Sequence, residues 1–393
     1  MSSNQTNGPL SGIVVVDMTR VLAGPYAALL LAEMGARIIK VEPPRHGDDA
    51  RAVGPFLKTK SGKVKSGYFM SINRGKESIA LDLKAEGDRA IFEGLLARAD
   101  VVLENYRGGT MEKLGYGWET LKEKYPRLVY AAVSGFGHTG PYATRPAYDM
   151  VVQAMGGIMS LTGHPGGAPT RVGTSIGDLT AALYAALGIV TALYDRKTTG
   201  KGMKVDISML DCQVAFLENA IARYVATGVV PGPLGARHPS IAPFAVFATQ
   251  DSHIVIAAGT DGLFARVAEV IGRPQLAKDS RFLTNHDRVE NALALQAEIE
   301  AALAARNSME WLALLEAAGL PSAPLNNVAD VMEDPQVAAR NMIVTAEDPE
   351  LGPIRMQGNP IKLSTYDDPA TRPPAPDLDG DRDTILAWLA STA

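Results

Sequence analysis

The chain has little of what several classes of function require. It holds one cysteine, Cys212, in 393 residues, which excludes a disulfide framework within one chain and any cluster of thiolates around a metal. Its six histidines include no close pair, so a histidine-built metal site is not expected and the expected metal is none. Positive charge is not in excess: 38 Lys and Arg face 43 Asp and Glu, a formal net charge of −5. A nucleic acid would meet no general basic field, although a local basic pocket for a small anion stays open. The longest apolar run, Leu179 to Tyr194, falls short of the roughly 20 residues that cross a bilayer, and Asp178 and Asp195 bracket it. It reads as a buried helix, with no membrane partner. Met1 to Leu10 has neither the basic segment nor the apolar run of a signal peptide. A reduced, cytoplasmic enzyme is the expectation.

What the chain does have is a regular alternation of strand and helix signals. Hydrophobic residues make up 46% and charged residues 21%, ordinary soluble usage, and the length suits two or three domains at about 150 residues each. Ile13–Asp17 is a β-branched run, Tyr26–Met34 is apolar at helical spacing, Gly35 fits a C-cap, and Ile38–Glu42 is a second strand. The pattern continues through Ser78–Leu83, Asp88–Arg98, Asp100–Glu104 and Leu128–Ser134, which predicts an α/β domain with several parallel strands. Between the second strand and Ser78 lies a Gly-, Pro- and basic-rich connection, long enough to suggest function. A long helix from Asp178 to about Arg196, a strand at Met203–Met209 and a helix at Leu210–Thr227 follow. After a Gly/Pro turn come strands at Phe244–Thr249 and His253–Ala258 and helices at Gly262–Ile271, His286–Ala305 and Ser308–Ala318. The expected organisation is a large α/β domain over 1–228, a smaller α+β domain over 229–320, and a proline-rich tail over 321–393 with a last helix at Arg382–Ala390.

Four places could carry chemistry. Gly173-Thr-Ser-Ile-Gly177 matches the Gly-x-Ser-x-Gly form of a hydrolase nucleophile elbow, with Ser175 as the nucleophile and a thioesterase or esterase as the consequence. No good strand signal precedes it. Asp178, next in line, is either a carboxylate closing off a helix N-terminus or a carboxylate nucleophile whose small neighbours leave room for an acyl group. The Asp17–Pro25 turn opens a helix whose N–H groups suit a phosphate, yet it lacks Gly-x-Gly-x-x-Gly, so a nicotinamide site is poorly supported. Basic residues recur in loops at predicted strand ends, namely Arg45, Arg51, Arg74, Lys76, Arg107 and Lys113; together they suggest a polyanionic cofactor. Arg237-His238, near the start of the second domain, is a loop pair or a substrate contact. Cys212 reads as an inert core thiol.

Several segments together resemble a known family. Leu10–Pro25, Met34–Pro43, Val102–Tyr106, Gly173–Asp178, Lys197–Gly202 and Arg237–Phe244 are similar, in order, to the class III (family III) CoA-transferases. The resemblance implies a Rossmann-like large domain with a smaller α+β domain, an interlocked homodimer, a tail that returns to the large domain, and coenzyme A as acyl-CoA cosubstrate. It places the catalytic aspartate at Asp178. CoA contacts fall on Val21, Leu22 and Ala23, on Ile72, Asn73, Arg74 and Gly75, on Asn105, Tyr106 and Arg107, on Lys113, and on Gly135, Phe136 and Gly137. The implied chemistry moves CoA from an acyl-CoA, expected to be succinyl-CoA, to a free carboxylic acid through an aspartyl anhydride and an aspartyl-CoA thioester. A dicarboxylate would bring a second charge for Arg51, Arg145 or Arg237 to receive, with His238 as a further substrate contact. Pro43 and Lys113 stand where formyl-CoA transferase has basic residues, and its glycine-rich substrate loop is not recognisable, which argues against oxalate or formate. Ser240–Phe244, Thr284–Val289 and Leu325–Asn327 are similar in texture to the succinate–hydroxymethylglutarate branch. The α-methylacyl-CoA racemases of the same superfamily carry a proton-transferring His where this chain has Tyr148, and Tyr148 is a poor substitute.

Overall fold

The computed structural model describes residues 7–391. The chain divides into two compact units. One comprises the chain up to Met159, Arg171–Val229 and the segment from Pro335 on; the other comprises Ser160–Thr170 and Val230–Asp334.

The first unit is built on six parallel strands: Val14–Asp17, Arg37–Glu42, Glu77–Ala80, Val101–Glu104, Val129–Ser134 and Lys204–Ser208. Taken in chain order as first to sixth, they lie side by side as third, second, first, fourth, fifth, sixth, and every neighbouring pair is parallel. This is the doubly wound order, with its switch point between the first and fourth strands. The central strands are rich in Val, Ile and Ala because helices cover both faces of the sheet and leave no solvent side to make polar. On one face, Val15, Leu103, Ala131 and Val133 pack under the Ala23–Glu33 and Ile176–Thr199 helices. On the other, Val16, Ile39, Val102 and Tyr130 meet Phe92, Leu95 and Leu96 of the Glu86–Arg98 helix.

The segment from Pro335 on belongs to this unit, whereas 321–334, expected to return with it, stays in the second. Ile385 of the Arg382–Ala390 helix is fully buried in the second of those cores. Asp379 and Asp381 accept the backbone N–H groups of Ala80 and Ser78. Ile343–Asp348, Gly352–Gln357 and Thr371–Arg372 form a small sheet of their own.

Several expectations need correction. The Pro43–Lys76 connection is not an open loop: it carries a short 3-10 turn at Asp49–Ala52, a hairpin of Phe56–Lys58 with Val64–Ser66, and a helix at Gly67–Asn73. The helix expected at 210–227 breaks into Met209–Phe216 and Glu218–Thr227, and that expected at 286–305 breaks at Asn291. The long helix, read as buried, runs 24 residues, Ile176–Thr199, and is long and apolar enough to cross a bilayer by length and composition. Only one face is buried, through Ala181, Ala185, Ile189 and Ala192, while Leu183, Leu187, Val190 and Tyr194 are exposed.

The second unit packs Phe247, Ile254 and Ile256 of a three-stranded antiparallel sheet against Phe264, Val267, Leu295, Ile299 and Trp311. Its boundary lies at Asp334 rather than at 320. Ser322–Pro324, beyond the expected end, pairs with His253–Ala257 as a strand of that sheet. The 160–170 segment joins it because Gly235 N–H donates to the Gly163 carbonyl at 2.8 Å.

Candidate active site

The loops that leave the first and fourth strands are fixed to each other at the switch point. Asn105 Oδ1 accepts the Arg20 N–H at 2.9 Å and its Nδ2 donates to the Arg20 carbonyl at 2.8 Å. Arg20–Val21 can therefore hold an unusual backbone, with Val21 at φ 67°, where a β-branched residue is strained. A buried charge network underneath keeps it there. Val21 N–H donates to Asp48 Oδ1 at 2.9 Å, Asp48 pairs with Lys40 at 2.9 Å, and Lys40 Nζ donates to the Thr19 carbonyl at 2.7 Å. Gly24 completes the turn, since a Cβ on it would lie 2.3 Å from Thr19 Cγ2. Lys76 pairs with Asp17 at 2.9 Å, both fully buried. Burial pushes the Asp17 carboxyl up, but the ammonium groups of Lys76 and Lys40 outweigh it and leave the carboxyl below its ordinary range.

Above this floor lies an open cleft holding about 130 Å³, lined by Arg20, Val21, Leu22, Ala23, Asp49, Asn105, Tyr106, Arg107, Gly135, Arg145, Tyr148 and Asp178 among others. All of these belong to the first unit. Asp178 sits in the first turn of the long helix, half-buried, and its carboxylate makes no hydrogen bond or ion pair among the described residues. Burial, and then the negative charge of Asp149, push its pKa up to about 7. Arg145 stacks on Tyr142 at 4.5 Å and on Phe136 at 5.9 Å and has no carboxylate partner among the described residues. Glu104, at the end of the fourth strand, accepts the Tyr106 N–H at 2.7 Å and the Tyr130 hydroxyl at 2.9 Å, which holds the Tyr106 loop in place. Burial pushes Glu104 up to about 7.

The cleft thus collects Val21, Leu22, Ala23, Asn105, Tyr106, Arg107, Gly135, Arg145 and Asp178 from the expected residues. Others are placed elsewhere. Ile72, Asn73 and Arg74 are buried; Asn73 donates to the Phe69 carbonyl, Arg74 pairs with Glu33 at 2.9 Å, and Gly75 N–H donates to the Pro374 carbonyl. Arg51 is held by Glu42 at 2.7 Å and lies over the Phe69 ring. Spent on the fold, these groups do not line the cleft wall, and neither does exposed Lys113. Phe136 packs edge-on against Tyr142, and Gly137 turns the chain at φ 77°. Arg237 and His238 belong to the second unit, in a small pocket with Ile241, Phe244 and Leu295. His238 Nδ1 accepts the Ser240 N–H at 3.1 Å and its ring packs on Phe244.

The elbow reading of Ser175 fails on structure. No strand leads into Gly173–Gly177, and among the described residues no histidine lines the cleft. Among the described residues no group of three or more His, Cys, Asp or Glu could hold a metal. Sequence reasoning missed Arg20 and Asp49, which pair at 3.3 Å on the cleft rim, because nothing local in the sequence links them.

The comparisons with known proteins agree with this arrangement. The family model described as CoA-transferase family III matches residues 10–382. An acetyl-CoA:oxalate CoA-transferase of Acetobacter aceti is 50% identical over 95% of this chain and 93% of its own length. A succinyl-CoA:mesaconate CoA-transferase of Haloarcula hispanica is 40% identical, covering 96% of each. The crystal structure of a CAIB/BAIF family protein from Brucella suis superimposes with a TM-score of 0.86 at 40% identity, over 98% of this chain and 100% of that one. A doubly wound sheet, a cleft at its switch point and a likeness that runs the length of the chain lead to one conclusion: this protein belongs to CoA-transferase family III and moves CoA between acyl-CoA and carboxylic acid substrates.

Proposed function

We propose that Asp178 is the nucleophile of this transfer and that the acceptor is a small dicarboxylic acid. The observation that carries the reading is a half-buried carboxylate without a partner, at the start of a helix and on the wall of the switch-point cleft. In the first step an Asp178 oxygen attacks the thioester carbonyl of the donor acyl-CoA; the C–S bond breaks, leaving an aspartyl anhydride and CoA thiolate. The thiolate attacks the Asp178 carbonyl and expels the donor acid, which leaves an aspartyl-CoA thioester. The acceptor carboxylate attacks that thioester, and the released thiolate attacks the acceptor acyl carbon of the new anhydride. Acceptor acyl-CoA departs and the free Asp178 carboxylate is restored. A carboxylate suffices because the thioester is activated and a thiolate leaves readily.

The guanidiniums of Arg107 and Arg145, unpaired among the described residues, suit the CoA phosphates and the second carboxylate of the acceptor. We assign Arg145 to the latter, and Val21, Leu22, Ala23, Asn105, Tyr106 and Gly135 to CoA. The relatives carry names with dicarboxylate acceptors, oxalate in one and mesaconate in another, so the reason for excluding oxalate falls away. Both acetyl-CoA and succinyl-CoA belong in the donor screen, and the succinate–hydroxymethylglutarate branch is one possibility among these. The apolar residues Leu183, Leu187, Val190, Tyr194, Ile221 and Val225 are exposed; a second copy of the chain, interlocked as in the family, would cover them. The lone buried thiol of Cys212 suits a reducing cytoplasm.

The test is a hydroxylamine quench of the enzyme turning over acetyl-CoA or succinyl-CoA with oxalate, mesaconate or glutarate. Mass spectrometry should find the hydroxamate on Asp178. Asp178→Ala should lower transfer by about a thousandfold or more, while Ser175→Ala keeps a substantial rate. An adduct on any other side chain sinks the reading. Deuterium uptake at the α-carbon of a 2-methylacyl-CoA without acceptor acid would instead support a racemase.

A further inference from the structure

The turn that carries Asp178 is not held by its own side chains. Ser175 occupies the N-cap position of the long helix yet makes no side-chain cap hydrogen bond, which leaves N–H groups of the first turn to find acceptors elsewhere. One acceptor comes from a different helix. Gly177 N–H donates to Asp149 Oδ1 at 2.8 Å. The other oxygen of the same carboxylate accepts Gln153 Nε2 at 2.8 Å and faces the Arg171 guanidinium at 3.4 Å. Gln153, fully buried, turns its own Oε1 to the Val172 N–H at 3.0 Å. Both flanks of the Gly173–Ser175 loop are therefore tied to one turn of the Asp149–Met155 helix. Gly177 makes the approach possible: a Cβ there would lie 2.7 Å from Val152 Cγ2 and 3.0 Å from Asp149 Oδ1.

We infer that Asp149 is a positioning residue for Asp178, serving as the missing cap of the long helix and setting a fixed negative charge beside the nucleophile. The inference rests on the reading of Asp178 as nucleophile. Asp149 contributes in two separable ways. Its hydrogen bond fixes the turn, and a misplacement of about 1 Å costs on the order of a hundredfold in rate. Its charge, second to burial, helps raise Asp178 to about 7, and a more basic carboxylate is a better nucleophile. The other charges on the cleft wall are Arg20, Asp49, Arg107 and Arg145. The phenols nearby are Tyr106 and Tyr148 on the wall and Tyr68, itself pushed up to about 12 by burial and by Asp178. All of these stay in place when Asp149 is changed.

Two variants separate the contributions. Asp149→Asn keeps an oxygen for the Gly177 N–H and removes the charge; Asp149→Ala removes both. In the full-length enzyme, Asp149→Ala should lower kcat about a hundredfold while KM for the acyl-CoA stays within about twofold. Asp149→Asn should keep most of kcat and move the acidic limb of the kcat–pH profile down by about one pH unit. Should Asp149→Ala not fold, the shift in Asp149→Asn decides alone. Wild-type kcat in a folded Asp149→Ala, or an unshifted profile in Asp149→Asn, overturns the inference. Wild-type enzyme is quenched with hydroxylamine in parallel: an adduct on Asp178 together with wild-type-like variants sinks this inference only, whereas no adduct on Asp178 in wild type sinks the nucleophile reading and this one with it.

Discussion

Two groups of charged side chains lie at the carboxyl edge of the same sheet, and they are treated in opposite ways. Beneath the Arg20–Val21 turn, Asp17, Lys40, Asp48 and Lys76 are buried and matched to one another at about hydrogen-bond distance. On the cleft wall a few residues away, Arg107, Arg145 and Asp178 have no ion-pair partner among the described residues. Ionised groups out of water need partners and are costly without them, so the first group is part of the fold. The second group is left unmatched where a ligand has room to enter. Residue type does not separate the two groups. Arg51 and Arg74 looked as suitable for a polyanion as Arg107 and Arg145 do, yet Glu42 and Glu33 claim them.

The contrast can be broken by substitution, and the largest effect belongs to the floor. Lys76→Met leaves Asp17 without its ion-pair partner and should cost about 3–5 kcal/mol of stability, read by urea denaturation of the folded enzyme. On the wall the effect should fall on function. Arg145→Ala should raise KM for a dicarboxylate acceptor about 10- to 100-fold, the worth of one charged hydrogen bond, with stability and KM for acyl-CoA nearly unchanged. An equal rise in KM for acyl-CoA would assign Arg145 to CoA instead. Asp178 adds a pH signature. Its carboxyl is raised in the folded state to about 7, so it favours folding at low pH and that contribution is lost as pH rises from the ordinary carboxylate range through 7. Activity, which needs the ionised form in the folded enzyme, should rise as pH passes about 7. Asp178→Asn should therefore be more stable than wild type above pH 7, by on the order of 2 kcal/mol, and no different near pH 3, measured by thermal unfolding. The smallest effect should be at the rim. Arg20 and Asp49 pair at 3.3 Å with both side chains more than half exposed, so Arg20→Ala should change stability by less than about 0.5 kcal/mol.

Much of the large unit was legible because its signals are local. Strands at 13–17, 38–42, 100–104 and 128–134 announce themselves by β-branched and apolar runs, and the observed elements differ by a residue or so at the ends. The last helix, Arg382–Ala390, has the expected bounds. The Pro43–Lys76 connection was not legible. Its short strands and helix are stabilised by contacts far away in the chain, such as Lys65 with Asp348 at 2.9 Å. The end of the second unit was missed for the same reason: Ser322–Pro324 is a strand only because His253–Ala257 lies beside it. At the site, Asp178 and the turn at Val21–Ala23 were found through motif resemblance. Asp149 was passed over as a catalytic candidate, since its bond to Gly177 spans 28 residues and leaves no spacing to recognise.

The sequence alone determined that alternating strand and helix signals build a covered parallel sheet, that one thiol makes no disulfide within the chain, and that Asp178 opens a long helix. Those properties follow from periodicity, composition and neighbours in the chain. Only the tertiary structure decided the strand order that creates the switch point, which basic residues are consumed by internal ion pairs, and that Asp178 on the cleft wall has no partner among the described residues. Pairing of charges is settled by distance in space, and the partners here lie from a few residues to several hundred apart along the chain.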